Sequence, residues 1–155
     1  MYRWVIFTHI LAIFGFLLAH GAAAAVSFKL RSEREIERVR ALLELSRGVT
    51  TVASASMLVL LAAGITAGFM GNWWGQYWIW TSLGLFVLIG IAMMVLASRP
   101  FNRIRQLVQS GKPSSGAAMD QQLAVMLAAT HPVLLTAIGF GGFALILWLM
   151  MFKPF

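Results

Sequence analysis

The 155-residue chain contains no cysteine. That excludes a disulfide framework, a thiolate metal site and an iron–sulfur cluster. Charge is scarce as well: 11% of the residues are Asp, Glu, Lys or Arg, and only 5 are acidic. A soluble domain carries about 25% charged and about 45–50% apolar residues. Here 60% are hydrophobic and the mean hydropathy is +0.83. A soluble chain this short leaves too much of its surface in water to hide so much apolar area. The composition therefore implies an integral membrane protein. A net charge of +7 would suggest nucleic acid in a soluble protein, so the placement of the basic residues becomes the question.

Four apolar stretches stand out, at residues 4–28, 49–70, 77–98 and 122–152. Each reaches the roughly 20 residues needed to cross about 30 Å of hydrocarbon. None contains Asp, Glu, Lys or Arg. With no water to satisfy the backbone there, each is expected to be helical. The first is too long for the roughly 7–15-residue apolar core of a signal peptide, despite the Ala22–Ala25 run, and is read as a true first helix. The same lack of charge removes an intramembrane carboxylate relay, a voltage-sensing arginine series and a carboxylate pair for acid–base work.

Lys29, Arg31, Arg34, Arg38, Arg40 and Arg47 follow the first stretch. Arg99, Arg103, Arg105 and Lys112 follow the third, leaving only Arg3 and Lys153 elsewhere. The positive-inside rule then predicts both connections in the cytoplasm and both termini outside. Ser32 and Glu35 form a capping-box pattern. Glu35–Arg38, Glu37–Arg40 and Arg40–Glu44 have helical spacing for opposite charges. A helix over 32–47 follows, extending the second span, with Ile36, Val39 and Leu43 as a narrow apolar stripe. It reads as a solvated helix or as a docking surface for a partner or anionic headgroups. Pro100 is expected to end the third helix, and Gly111, Pro113, Ser114, Ser115 and Gly116 to form a flexible loop.

The other side is aromatic: Trp73, Trp74, Tyr77, Trp78 and Trp80, with Tyr2, Trp4 and Trp148. This reads as an interfacial belt, or alternatively as the floor of a pigment or quinone pocket. Gly64 and Gly68, and Gly139, Gly141 and Gly142, are small residues that let helices approach closely, within the bundle or against a partner. The Ser and Thr residues of the second span are assigned to interhelical hydrogen bonds.

All three histidines fall in apolar stretches, where ionisable residues are functional candidates. His9 and His20 share a helix face about 16 Å apart. His20 and His131 each lie about 12 Å from the cytoplasmic end of their spans, with Met57 near the same level. That set fits axial ligands of a b-type haem in a helical bundle or a copper site of His20, Met57 and His131. Hydrogen bonding of neutral histidines to hydroxyls or backbone accounts for them equally simply.

His20-Gly21, Phe28-Lys29-Leu30-Arg31, Leu43-Glu44-Leu45-Ser46, Gly64-Ile65-Thr66-Ala67-Gly68-Phe69-Met70, Trp74-Gly75-Gln76-Tyr77-Trp78-Ile79-Trp80 and Met150-Met151-Phe152-Lys153-Pro154 follow one another along the chain. Together they resemble the bacterial four-helix membrane proteins grouped as domain of unknown function 2269. The likeness covers nearly the whole chain and implies a fold and topology, but no reaction. His9-Ile10-Leu11 is similar, more weakly, to the opening of the copper-resistance D proteins and the related membrane protoporphyrinogen oxidase. That likeness implies His9 as a haem ligand, although the Trp-x-x-Gly and Tyr-His elements of that group are missing here.

The sequence thus predicts one all-α domain over 1–155, a bundle of four transmembrane helices in the bacterial inner membrane. The leading reading is a non-catalytic subunit or assembly factor, in the bilayer and packed in a larger complex or homo-oligomer, without nucleic acid. The alternatives are a haem-binding electron-transfer module using His20 and His131, with His9 at a second site, and a copper or small-molecule carrier.

Overall fold

A computed structural model describes residues 1–110, 116–128 and 130–154, with the backbone alone at 97–100, 108–110, 116–120 and 128. The described residues form five helices and no strand: α1 (Tyr2–Ser32), α2 (Ile36–Met70), α3 (Tyr77–Ser110), α4 (Gly116–Ala128) and α5 (Pro132–Phe152). Four helical segments are long and apolar enough to cross a membrane. Their side chains are mostly uncovered by protein, as expected where lipid is the solvent and every backbone group must bond within its own helix.

The helices run up and down between a basic end and an aromatic end. Residues 33–35 alone separate α1 from α2, and these two pack closely along their lengths. Small residues permit this: a Cβ on Gly15 would meet Ser56 Oγ at 2.9 Å, and one on Gly64 would meet His9 Cε1 at 3.0 Å. The second pair is α3 with α5, where Gly142 lies against Ile89. Gly68 receives Ile79 Cδ1 and the Trp74 ring at the aromatic end. Gly64, Gly68 and Gly142 thus lie at close approaches inside the bundle, whereas a Cβ on Gly141 would meet nothing within 4 Å.

Three local expectations are corrected. The capping box does not form. Ser32 is the last residue of α1 and its Oγ donates to the Lys29 carbonyl at 3.0 Å. Glu35 is the N-cap of α2 and makes no side-chain cap bond. Glu33 takes that part instead, accepting from the backbone N–H of Arg34 (3.1 Å) and of Glu35 (3.4 Å). The chain needs a three-residue reversal here, which places a carboxylate one residue past α1 beside free N–H groups.

Pro100 does not end α3, which continues to Ser110. A proline within a helix costs one hydrogen bond and a steric clash, about 3 kcal/mol. Burial beyond it outweighs that: Ile104 is fully covered and joins Leu30, Val39, Leu43, Leu123 and Leu127 in a tight apolar cluster at the basic end. The stripe read on the 32–47 connection is therefore covered by the chain's own α3 and α4, and that connection is the first third of α2. The fourth span is not one helix either. It breaks before Pro132, whose ring disfavours helical backbone at the preceding residue. His131 accordingly has φ −114° and ψ 69°. Thr130 closes the end of α4, its N–H and Oγ both donating to the Leu127 carbonyl at 3.2 and 2.7 Å. The 21 residues of α5 still span about 32 Å. The loop expected at 111–116 lies outside the described residues except for Gly116, which opens α4.

The turn from α2 to α3 follows from backbone geometry. Gly71 caps α2, and Asn72 adopts a left-handed φ of 57°. The Asn72 N–H donates to the Phe69 carbonyl and the Trp73 N–H to the Gly68 carbonyl, at 3.3 and 3.1 Å. This is a Schellman closure, with asparagine at the position glycine usually holds.

Candidate ligand cavity

α2 and α3 meet at the aromatic end, where Gly68 receives Ile79, and again at the basic end, where Val39 and Leu43 pack with Ile104. Between the α1–α2 and α3–α5 pairs lies a cavity of about 460 Å³, within the roughly 300–1,000 Å³ range of small-molecule sites. α1, α2, α3 and α5 each present a face to it. α2 contributes Arg47, Thr50, Ser54 and Met57, and α1 contributes Phe16, His20, Ala23 and Ser27. These are spacings of three and four, which align side chains on one face of a helix. α3 adds Phe86, Met93, Asn102 and Arg105, while α5 adds Leu135, Thr136, Gly139 and Phe143.

The lining is graded. Near the basic end it holds Ser46, Arg47, Thr50, Asn102 and Arg105; toward the middle of the bundle it holds Phe16, Met57, Phe86 and Phe143. Phe16 and Phe143 stack at 4.5 Å between centroids. From Arg47 to Met57 is about 15 Å along α2. Thr50 and Thr51 spend their hydroxyl protons on the carbonyls of Ser46 and Arg47 at 2.7 and 3.0 Å. Three lining groups hold a buried polar atom without a hydrogen-bond partner: His20 Nε2, Thr136 Oγ1 and Arg105 Nε. Such atoms are costly to bury unsatisfied. Arg105 reaches the Leu43 carbonyl with one terminal nitrogen at 3.5 Å. No described acidic residue lies within ion-pair distance of Arg47 or Arg105. The described ion pairs are Lys29–Glu33, Arg38–Glu35 and Arg40–Glu37, and none of these residues lines the cavity.

His20 is only 8% exposed. Its ring stacks on Phe16 at 5.9 Å with the planes 6° apart, and Phe140 meets it edge-on at 4.9 Å. Its Nε2 faces the backbone of Gly139. His131 is exposed at the N-cap of α5 and does not line the cavity. It stands eight residues from Gly139, about 12 Å along the helix. The structure thus brings His20 and Met57 to one cavity and leaves His131 beyond it. His9 sits higher in the bundle, where its Nδ1–H donates to the Leu60 carbonyl at 3.0 Å beside Gly64. Among the described residues no three His or carboxylate side chains converge.

At the aromatic end the rings fill one another's space. Trp73 meets Tyr2 at 6.2 Å and Trp78 at 5.7 Å, while Trp74 meets Trp80 at 5.3 Å. The Trp80 indole N–H donates to the Trp74 carbonyl at 3.0 Å, and Trp78 donates to the Gln76 side chain. Tyr77, at the first turn of α3, is exposed. The Lys153 ammonium lies 4.7 Å from the Trp73 ring centre and 5.4 Å from that of Trp78.

Sequence reasoning treated Arg47 and Arg105 only as topology markers and did not single out Phe16, Thr136 or Phe143. The spacing of Arg47, Thr50, Ser54 and Met57 carried the signal, a helix face that changes from cationic through hydroxyl to apolar.

Four apolar membrane-length helices are joined here to a family profile that spans residues 3–154. The chain belongs to the DUF2269 family of predicted integral membrane proteins. The match runs from the first turn of α1 to the end of α5, so it takes in every wall of the cavity. No curated protein and no solved structure matches the chain.

Proposed function

We propose that this DUF2269 protein is a non-catalytic accessory component of the bacterial cytoplasmic membrane that holds a small-molecule ligand in its bundle cavity. One observation carries the reading: a space of about 460 Å³ between the helix pairs, lined by three residues that each hold a buried polar atom with no partner. A bundle stabilised by packing alone would close that space or line it with apolar groups. The facing groups are hydroxyls, thioethers, an imidazole and guanidiniums, which bind and orient a ligand. The spans contribute no carboxylate. The distribution of Lys and Arg supports a cytoplasmic basic end and external termini. Under this reading the apolar outer faces of the helices meet lipid, or a larger membrane complex that uses the bound ligand.

The test is native mass spectrometry of protein purified in a mild detergent, compared with Gly90→Phe. Gly90 lines the cavity, and a Cβ there meets nothing within 4 Å, so a side chain can leave the backbone unhindered at this position. Retained ligand mass in the natural protein and its loss in the variant is the expected result. Equal spectra for the two, or no retained mass in either, overturns the reading. Orientation is checked by labelling Ala41→Cys and Gly75→Cys in intact cells with an impermeant thiol reagent. Only Gly75→Cys should react; labelling of Ala41→Cys instead reverses the topology.

A further inference from the structure

We infer that the cavity's ligand is a single-chain amphiphile with an anionic headgroup, seated with that headgroup between Arg47 and Arg105. The inference rests on the reading of the cavity as a ligand site and specifies its ligand. Arg47 and Arg105 line the same end of the cavity, and among the described residues no acidic side chain lines it. Arg105 Nε is buried and unpartnered, although an arginine offers five donors suited to carboxylate or phosphate oxygens. An anion supplies the acceptor that Arg105 Nε does not find among the described residues.

Toward mid-bundle most of the exposed lining is apolar, which disfavours a compact polar anion there. Phe16, Met57, Phe86, Met93 and Phe143 form an apolar sleeve beginning about 15 Å along α2 from Arg47. A ligand satisfying both ends has its charge at the level of the basic end and an apolar body running toward mid-bundle. A chain methylene occupies roughly the volume of a water molecule, about 30 Å³. A cavity of about 460 Å³ therefore accepts about fifteen carbons, which is one acyl chain. The polarity gradient matches that of one membrane leaflet, so such a ligand enters headgroup-last in depth, keeping its charge at the interface.

The experiment measures binding to purified protein in mild detergent by native mass spectrometry, with palmitate, lysophosphatidic acid and the neutral hexadecanol as probes. Palmitate and lysophosphatidic acid distinguish a carboxylate from a phosphate headgroup. At least one should bind about tenfold or more tightly than hexadecanol, the expected gain from charge-assisted hydrogen bonds. Arg105→Gln should abolish that preference. Arg47→Gln, at an exposed position, should reduce it several-fold and serves as the readout if Arg105→Gln fails to fold. Equal binding of hexadecanol and both anions overturns the anionic assignment and leaves a cavity that takes neutral ligands. A preference that survives in the arginine variants overturns the placement of the headgroup. Failure of all three probes to bind overturns this inference, while ligand retained from cells and lost in Gly90→Phe would still support the site itself.

Discussion

Replacing Gly139 by alanine tests the packing around His20. A Cβ at this position falls inside the van der Waals surface of the imidazole, against Nε2 and Cε1. The ring has little freedom to yield. Phe16 lies flat on one side and in turn stacks on Phe143, while Phe140 abuts the ring edge-on. Overpacking a filled site costs about 1–3 kcal/mol. Glycine to alanine within a helix returns about 0.8–1 kcal/mol of propensity, so the net loss in the natural background is about 0–2 kcal/mol. In a His20→Ala background the clash vanishes and only the propensity gain remains, so the same substitution becomes neutral or stabilising. The coupling between the two sites equals the overpacking cost, about 1–3 kcal/mol. It is measured from reversible unfolding of the four proteins of the double-mutant cycle in mixed detergent–SDS micelles. An effect of Gly139→Ala that is the same in both backgrounds within about 0.5 kcal/mol refutes the claim that the glycine exists to admit the histidine.

Other perturbations follow from single contacts. His9→Phe removes the hydrogen bond to the Leu60 carbonyl and should cost about 0.6–1.7 kcal/mol, the range of interhelical bonds in membranes; no change in unfolding free energy would make that bond incidental. Lys153→Ala empties the ammonium from the Trp73 and Trp78 faces, with an expected loss of about 0.5–2 kcal/mol and a shift in tryptophan emission, and an unchanged spectrum would refute the contact. The N–H groups of Arg34 and Glu35 hold the Glu33 carboxyl below its ordinary 4.5, with Lys29 and Arg38 assisting. A depressed carboxylate stabilises the folded turn above the unfolded value and loses that contribution as pH falls through the folded one. Amide exchange at residues 34–36 should therefore accelerate, relative to the intrinsic rate, only below about pH 4.5, and Glu33→Gln should abolish that step; a step near neutrality would contradict the assignment.

The four spans were legible because a bilayer leaves the chain one solution: apolar runs of sufficient length must close their own hydrogen bonds as helices. The close approaches at Gly64, Gly68, Gly139 and Gly142 were legible as glycine positions, but not the side chains they would admit. His9, Trp74, His20 and Ile89 fill them because of the register of α1 with α2 and of α3 with α5. Misreadings arose where local signals met distant packing. Pro100 carries the usual mark of a helix end, yet burial of Ile104 carries α3 past it. Ser32 and Glu35 have capping-box spacing, but the turn is set by how tightly α1 meets α2, and Glu33 serves it.

The histidines show the same division. Their positions in apolar stretches came from composition, and the depth match of His20 with His131 assumed one straight fourth helix. Pro132 divides that helix, and the register of α5 then sets Gly139 and Phe140 beside His20. By itself the sequence determined membrane residence, the number of apolar spans and the separation of a basic from an aromatic end, because hydrophobic length and charge placement are one-dimensional properties. Only the tertiary structure decided that Arg47, Arg105, His20 and Phe143, from four different helices, line one graded cavity. That convergence depends on where α2 and α3 part, a property of packing between helices that no single stretch of sequence contains.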